Sequence, residues 1–179
     1  MKTKLGKRIL LIGCPASGKS TLSKQVKEVT GLPLTHLDAI YHRPNWEKMP
    51  ADEWSEVLAG LLAGEEWILD GNYNRTMPLR FNRADTIILL DYSTKICLER
   101  MVRRREEYKD KSRDDVPAGC FEREDPKFVQ LIKNFRKDSR PRIYKLLKEY
   151  KKGRNIIILK SPKATERWIK KLLDNKKQA

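Results

Sequence analysis

Eight consecutive residues near the amino end, Gly13-Cys14-Pro15-Ala16-Ser17-Gly18-Lys19-Ser20, have the types and spacing needed to hold a polyphosphate. They fit G-x-x-x-x-G-K-[ST]. The two glycines permit a tight turn whose backbone N–H groups point inward at phosphate oxygens. A helix starting at Ser20 adds its free amides and the positive end of its dipole. Lys19 has the reach for the β- and γ-phosphates, and Ser20 offers a hydroxyl to Mg²⁺. The expected cofactors are therefore a purine nucleoside triphosphate, ATP, and Mg²⁺, held along Gly13 to Thr21.

Three acids end apolar runs that read as strands: Asp38, Asp70 and Asp91. In open parallel sheets, ligands bind at the carboxyl edge of the strands. Asp70, ending Trp-Ile-Leu-Asp, suits Mg²⁺ held through water, so Ser20 and Asp70 are the expected metal pair. Asp38 lies beside His36, Tyr41, His42 and Trp46, where an acceptor could sit or where aromatic residues could merely pack. Asp91 reads as a structural cap. Arginines are dense further on: Arg100, Arg103, Arg104 and Arg105, then Arg113, then Arg136, Arg140 and Arg142. Guanidinium groups suit bidentate phosphate binding and neutralise charge that develops in phosphoryl transfer. Arg100 and Arg104 share a helix face, as do Arg136 and Arg140. Two to four of the eight are expected to touch phosphate, the rest being solvated or paired with Glu99, Glu106 and Glu107. Neither histidine has a partner at metal-ligand spacing, so no zinc is expected.

The elements that must position these groups alternate between strand and helix. Strands are expected at Arg8 to Ile12, Leu34 to Leu37, Trp67 to Leu69, Thr86 to Leu90 and Asn155 to Leu159. Helices are expected from Ser20 to Val29, from a cap at Asp52 to Leu62, over Pro78 to Asn82, and from Ser93 or Thr94 to Glu107. Two more run from Lys127 to Tyr150, with a break near Pro141, and from Pro162 to about Asp174. Tyr41 to Pro50 reads as irregular. Lys109 to Asp125 is polar, holds Pro117 and Gly119, and reads as a mobile cover. Continuous apolar strands alternating with helices imply an α/β fold with a parallel sheet covered on both faces. The 179 residues amount to one domain, 1–179.

Charge is placed unevenly. The net +15 divides as 12 Lys/Arg against 10 Asp/Glu up to Leu89, and 27 against 14 from Leu90 onward. That excess is compatible with an anion-binding cover, a nucleic-acid surface or solvated helix faces. No helix-turn-helix, RNA-binding or zinc-finger signature is present, so nucleic acid is the less favoured partner. Three widely spaced cysteines, Cys14, Cys97 and Cys120, give no disulfide framework and point to a reducing, cytoplasmic setting. No apolar run nears the ~20 residues that cross a bilayer. Met1 to Lys4 is basic like a signal peptide's start, but the apolar run after it is short and ends in the Gly13 turn, so it reads as a strand. Asn175 to Ala179 reads as a frayed tail.

Together, the Gly13–Ser20 loop, Asp70-Gly71, the helix–cover–helix of Ser93 to Tyr150 and a last strand ending in Lys160-Ser-Pro-Lys resemble the adenylate-kinase-like P-loop kinases. Within them, His36-Leu-Asp-Ala-Ile-Tyr, Trp67-Ile-Leu-Asp-Gly-Asn-Tyr and Ser139-Arg-Pro-Arg-Ile resemble most the bacterial topology modulation protein family, also called FlaR-like. The resemblance implies a P-loop NTPase three-layer fold with a five-stranded parallel sheet of order 2-3-1-4-5 and a helical lid over about 109–125. It implies an acceptor region after the second strand, made of Asp38, Tyr41, Asp70, Asn72 and Arg75. It implies lid arginines on the phosphates, drawn from Arg100, Arg104, Arg113 and Arg136, and a loop, Ser161 to Ala164, near the adenine, with Ser161 and Pro162 as its binding residues. Lys19, Asp38, Arg104 and Arg113 are the expected catalytic set. Asp70-Gly-Asn-Tyr-Asn-Arg75 departs from the Asp-Gly-Phe-Pro-Arg of adenylate kinases, and the Thr-Gly-Asp-x-Leu-Arg stretch that binds their monophosphate is missing. These absences count against AMP as acceptor. The expected activity is Mg-dependent transfer of the ATP γ-phosphate to an unidentified small acceptor. The alternative is an ATP-dependent regulator with weak ATPase activity, acting on DNA topology or on a protein partner.

Overall fold

A computed structural model describes residues 5–109 and 111–177; Met1 to Lys4, Asp110 and the last two residues of the expected tail lie outside the described residues. The apolar runs become strands, of which the three central ones are the most buried. Arg8–Gly13 (β1), Leu34–His36 (β2), Trp67–Asp70 (β5), Thr86–Leu90 (β6) and Asn155–Leu159 (β7) form one parallel sheet in the order β2-β5-β1-β6-β7. Counting only these five strands, that is 2-3-1-4-5. Ile9, Leu10, Leu11 and Ile12 have no exposed surface, because β1 lies at the centre with helices on both sides. Each such side chain contributes about 1.5–3 kcal/mol on burial.

Helices follow the strands: Lys19–Thr30 (α1), Leu37–Tyr41 (α2), Ala51–Ala63 (α3), Met77–Arg83 (α4), Thr94–Glu107 (α5), Pro126–Glu149 (α6) and Pro162–Lys177 (α7). Between α2 and α3, the stretch expected to be irregular holds a small antiparallel ribbon. Its strands are His42–Arg43 (β3) and Glu47–Lys48 (β4), joined by a turn in which Asn45 and Trp46 both have φ of 62°.

Three boundaries differ from expectation. The second strand stops at His36, and Asp38 stands in the first turn of α2 instead of at a strand end. The third helix starts at Ala51 after Pro50, so Asp52 is a first-turn acid facing the helix dipole rather than its cap. Helix α6 continues through Pro141. A proline there removes one i→i−4 bond, to the carbonyl of Lys137. Lys137 is exposed, so water can serve that carbonyl.

Asp91 is structural, though not as a helix cap; Ser93 caps α5 by accepting the Ile96 N–H. Its carboxylate takes a bidentate pair of bonds from Arg140 at 2.7 and 2.8 Å and the Tyr144 hydroxyl at 2.7 Å, tying α6 to the end of β6. Burial opposes the charge on Asp91, but Arg140 and Tyr144 overcome it and hold the carboxyl below its ordinary value. A depressed carboxyl contributes stability above its unfolded value near 3.8, lost as pH falls through the folded value. Arg140→Ala should cost about 2–4 kcal/mol, because the acid it abandons is buried while Arg140 itself is a third exposed. Asp91→Asn should cost less and flatten the acid limb of the stability curve, both read by urea unfolding across pH.

Candidate functional site

At the carboxyl edge of the sheet, β1 ends in a loop that only this sequence pattern could close. Gly13 has φ of 151°, and a Cβ there would stand 2.5 Å from the Leu90 carbonyl oxygen of β6. Gly18, at φ 93°, leaves room for the Arg100 guanidinium, which a Cβ would meet at 2.8 Å. Ala16 takes φ of 59°, a conformation a non-glycine residue adopts at a cost. Lys19 lies back over this loop, its Nζ donating to the carbonyls of Gly13 (3.2 Å) and Cys14 (3.1 Å). The Ser17 hydroxyl is fully buried in the loop with no hydrogen-bond partner. Cys14, beside it, is buried against the thiol of Cys97, and that contact, with burial, pushes the Cys14 thiol far up.

Of the arginines, Arg100 alone of the expected set bonds to the loop itself: its Nη1 donates to the Ser17 carbonyl at 2.6 Å, over the ring of Tyr92. The Tyr92 hydroxyl is 2.5 Å from Thr165 Oγ1 in the first turn of α7. There Ser161 caps the helix, its Oγ accepting the Ala164 N–H at 3.2 Å, and Pro162 is the first helical residue. The structure thus brings Arg100, Ser161 and Pro162 to the same side of the loop.

Arg104 and Arg113 are paired with acids of the covering segment. Arg113 is nearly buried and donates to Asp115 (2.8 Å) and Glu122 (2.5 Å), while Arg104 donates to Glu122 at 3.2 Å. Each is held by acids of the 111–125 segment, where burial would otherwise leave it uncompensated. Arg136 is exposed and lends its charge to Asp91.

Asp70 ends β5 with 4% exposure. Its Oδ2 lies 2.6 Å from the Ser23 hydroxyl, which also reaches the Ser20 carbonyl at 2.9 Å. His36 Nδ1 stands 2.8 Å from the same oxygen. Burial works against an imidazolium there, but the bond to Asp70 and the charges of Asp70 and Asp115 outweigh it and raise the His36 pKa. Asp115 is pulled the other way: burial opposes its ionised form, while Arg113 and the Ser20 hydroxyl favour it and bring its pKa down.

Asn72 turns onto the P-loop, not outward. Its Oδ1 accepts the Gly13 N–H at 3.1 Å and its Nδ2 donates to the Gly13 carbonyl at 2.7 Å. The next residue, Tyr73, has φ of 39° and donates its hydroxyl to Asp38 Oδ1 at 2.6 Å. Burial first, and the Asp38 charge after it, push the Tyr73 pKa far up, so the hydroxyl keeps its proton. Tyr41 packs edge-on against Tyr73 and Trp54, with centroids 4.7 and 5.1 Å away, which makes it a wall beside Asp38. Arg75 is exposed. Its neighbour Asn74 donates to Ser139 of α6 at 3.2 Å.

What shapes residues 71–73 is a group not singled out in the sequence. Arg80 of α4 has no exposed surface; its guanidinium donates to the carbonyls of Gly71 (2.6 Å), Asn72 and Tyr73 (3.0 Å). Burial draws its pKa down to about 9. The signal was the spacing Met77-Arg80-Phe81, which puts an arginine on the apolar face of a short helix. Among the described residues, no group of three or more His, Cys, Asp or Glu side chains is gathered to hold a metal by itself.

No protein-family model matches the chain, and no curated protein matches it. Solved structures do. The shikimate kinase of Acinetobacter baumannii, in complex with shikimate, is similar with a TM-score of 0.59 and 17% identity, over 97% of this chain and 93% of that one. A gluconokinase from Sinorhizobium meliloti 1021 is similar with a TM-score of 0.56 and 16% identity, over 98% and 94%. The chain therefore has the P-loop kinase fold. No described helix is long and apolar enough to cross a membrane.

Proposed function

We propose that the protein is a phosphotransferase that moves the ATP γ-phosphate to a hydroxyl of a small acceptor held beside Asp38. The observation that carries this reading is the loop 71–73, which joins the P-loop to Asp38 through Asn72 on one side and Tyr73 on the other. A protein that only bound ATP would have no need of an acid locked in register with its phosphate loop. The fold shared with a shikimate kinase and a gluconokinase supports the same class of reaction. The segments around His36, Trp67 and Ser139 resemble those of the topology modulation proteins and support membership of that family, and the chain's buried cysteines, none in a disulfide, suit a cytoplasmic setting.

In this reading Lys19 leaves the Gly13 and Cys14 carbonyls for the β- and γ-phosphates, whose oxygens are better partners for an ammonium. The Ser20 hydroxyl and the Asp70 carboxylate are hard oxygen donors that suit Mg²⁺. When bound, Mg²⁺ neutralises the phosphate charge that builds up in transfer. Asp38 accepts the acceptor's hydroxyl proton as its oxygen bonds to the γ-phosphorus and the bond to the β-phosphate oxygen breaks, releasing ADP. Arg100 sits where it can neutralise the leaving side. Segment 109–125 serves as the lid and keeps water from the γ-phosphate. Arg104 and Arg113 reach phosphate only by leaving Glu122 and Asp115. Arg75 and Arg136, both exposed, are the groups free to meet an anionic part of either substrate.

Offering nucleosides, nucleotides, sugars and small acids with Mg²⁺ and ATP should reveal at least one compound that speeds ADP release. No acceptor-dependent release across such a library would overturn the kinase reading. A second reading, an ATP-dependent regulator of nucleic acid, is favoured by one observation: residues 126–179 carry 18 Lys/Arg against 4 Asp/Glu. It requires duplex DNA binding that persists at ~150 mM salt with a steep salt slope.

A further inference from the structure

We infer that Asp115 is a ligand, carried by the covering segment, of the divalent cation at Ser20 and Asp70, so that loading the cation holds residues 111–125 over the P-loop. This rests on the nucleotide-site reading above and adds to it a residue and a consequence.

Asp115 belongs to a polar stretch, yet it is only 8% exposed. Aspartate is almost never so buried without partners. One partner is Arg113, at 2.8 Å on Oδ1. The hydroxyl of Ser20, the P-loop residue that offers oxygen to a cation, also favours its ionised form. The placement is fastened from both ends. Next to it, Asp114 forms an ion pair with Lys24, which lies one turn after Ser20 on the same face of α1. On the other side, the Gly119 carbonyl accepts the Asn45 N–H at 3.2 Å, the Phe121 carbonyl accepts Trp46 Nε1 at 2.8 Å, and Cys120 Sγ donates to the Arg43 carbonyl at 3.3 Å.

Asp70 approaches the P-loop serine from the sheet, through the Ser23 hydroxyl, and Asp115 comes from the covering segment, next to the Lys24–Asp114 pair. His36 is paired with Asp70 and feels the charge of Asp115. Buried carboxylates need compensating positive charge; Arg113 and His36 supply it in this structure, and a divalent cation can share that part when bound. An independent sign that the loop is built around a ligand is the Ser17 hydroxyl, fully buried and unpartnered. One hydroxyl and two carboxylates form a hard oxygen set, leaving the remaining positions to water and phosphate, as Mg²⁺ prefers.

Cys120 reports the state of the segment, because its thiol is 1% exposed and rests on the β3 ribbon. Its rate of modification by a thiol reagent, located by peptide mass to separate it from Cys14 and Cys97, is measured with a non-hydrolysable ATP analogue in EDTA and in Mg²⁺. Nucleotide affinity is followed in the same samples by calorimetry. In the wild type, Mg²⁺ should slow Cys120 modification about tenfold beyond the nucleotide alone, the worth of one charged contact. Asp115→Asn should lose that metal-dependent part and still bind nucleotide in EDTA, whereas Asp114→Asn should keep it. Equal protection with and without Mg²⁺ in the wild type would overturn the inference whatever the variants do. So would full metal-dependent protection in Asp115→Asn. Both leave the nucleotide reading standing, whereas absence of nucleotide binding in the wild type would sink that reading and this inference with it.

Discussion

Alanine at Lys19 leaves a folded protein that turns over ATP about 10²–10³-fold more slowly and binds it about tenfold or more weakly. The side chain's present bonds are to two carbonyls of its own loop, Gly13 and Cys14, which are weak partners for an ammonium. Those carbonyls are partly buried at the loop surface, so deleting the amine costs the fold little. A phosphate that enters the loop offers charged oxygens, and the ammonium gains far more there than it gives up. The loss therefore falls on ligand and transition state, not on folding. Isothermal titration with ATP and a steady-state ADP assay check the two parts separately, with thermal melting as the control. Undiminished ATP affinity in Lys19→Ala would mean that the loop is not the nucleotide site.

The largest stability effect is expected at Arg80. Replacing it by alanine should cost about 3–5 kcal/mol and lower the melting temperature by about 10 °C. Three buried carbonyls, of Gly71, Asn72 and Tyr73, lose their common donor at once. Each orphaned acceptor costs about 1–3 kcal/mol. A positively charged group in a dry place is a poor source of net stability, but its removal leaves the groups arranged around it unsatisfied. Tyr73 also holds an uncommon φ of 39°, which the Arg80 bond helps to maintain. Once released, Tyr73 withdraws its hydroxyl from Asp38 and Asn72 loosens its hold on Gly13. Arg80→Lys should recover part of the stability and less of the activity, because a single ammonium cannot span the three carbonyls as a planar fork does. Urea unfolding of both variants gives the energies. A cost below about 1 kcal/mol for Arg80→Ala would contradict the role assigned to it.

Some of this was legible in the residues alone. The P-loop was, because its chemistry depends on eight consecutive positions, and local spacing is what a sequence displays. The sheet was, because strands buried on both faces read as unbroken apolar runs such as Ile9–Ile12 and Ile87–Leu90. The order of the strands and the P-loop kinase fold followed from resemblance; the sheet of this chain has that order, and the solved structures share the fold. Asn72 was placed with the acceptor region by resemblance; only the fold shows it turned onto Gly13, 59 positions away. Arg104 and Arg113 were placed in the catalytic set, and nothing in the order of residues says that Glu122 and Asp115 are brought to them. The burial of Asp115 was not legible for a similar reason: a polar run gives no sign that one of its acids is only 8% exposed. Helix α6 was expected to break at Pro141, and it does not, because the carbonyl that the proline leaves unbonded belongs to an exposed turn.

The central claim is that the site between Lys19 and Asp38 transfers phosphate rather than merely releasing it. The most direct measurement is the fate of γ-labelled ATP with wild type and Asp38→Asn in the presence of a metabolite pool and Mg²⁺. The account predicts label on an organic acceptor in the wild type and, in Asp38→Asn, transfer reduced about 10²-fold or more with ATP still bound. Label found only in inorganic phosphate, at the same rate in both proteins, would contradict it.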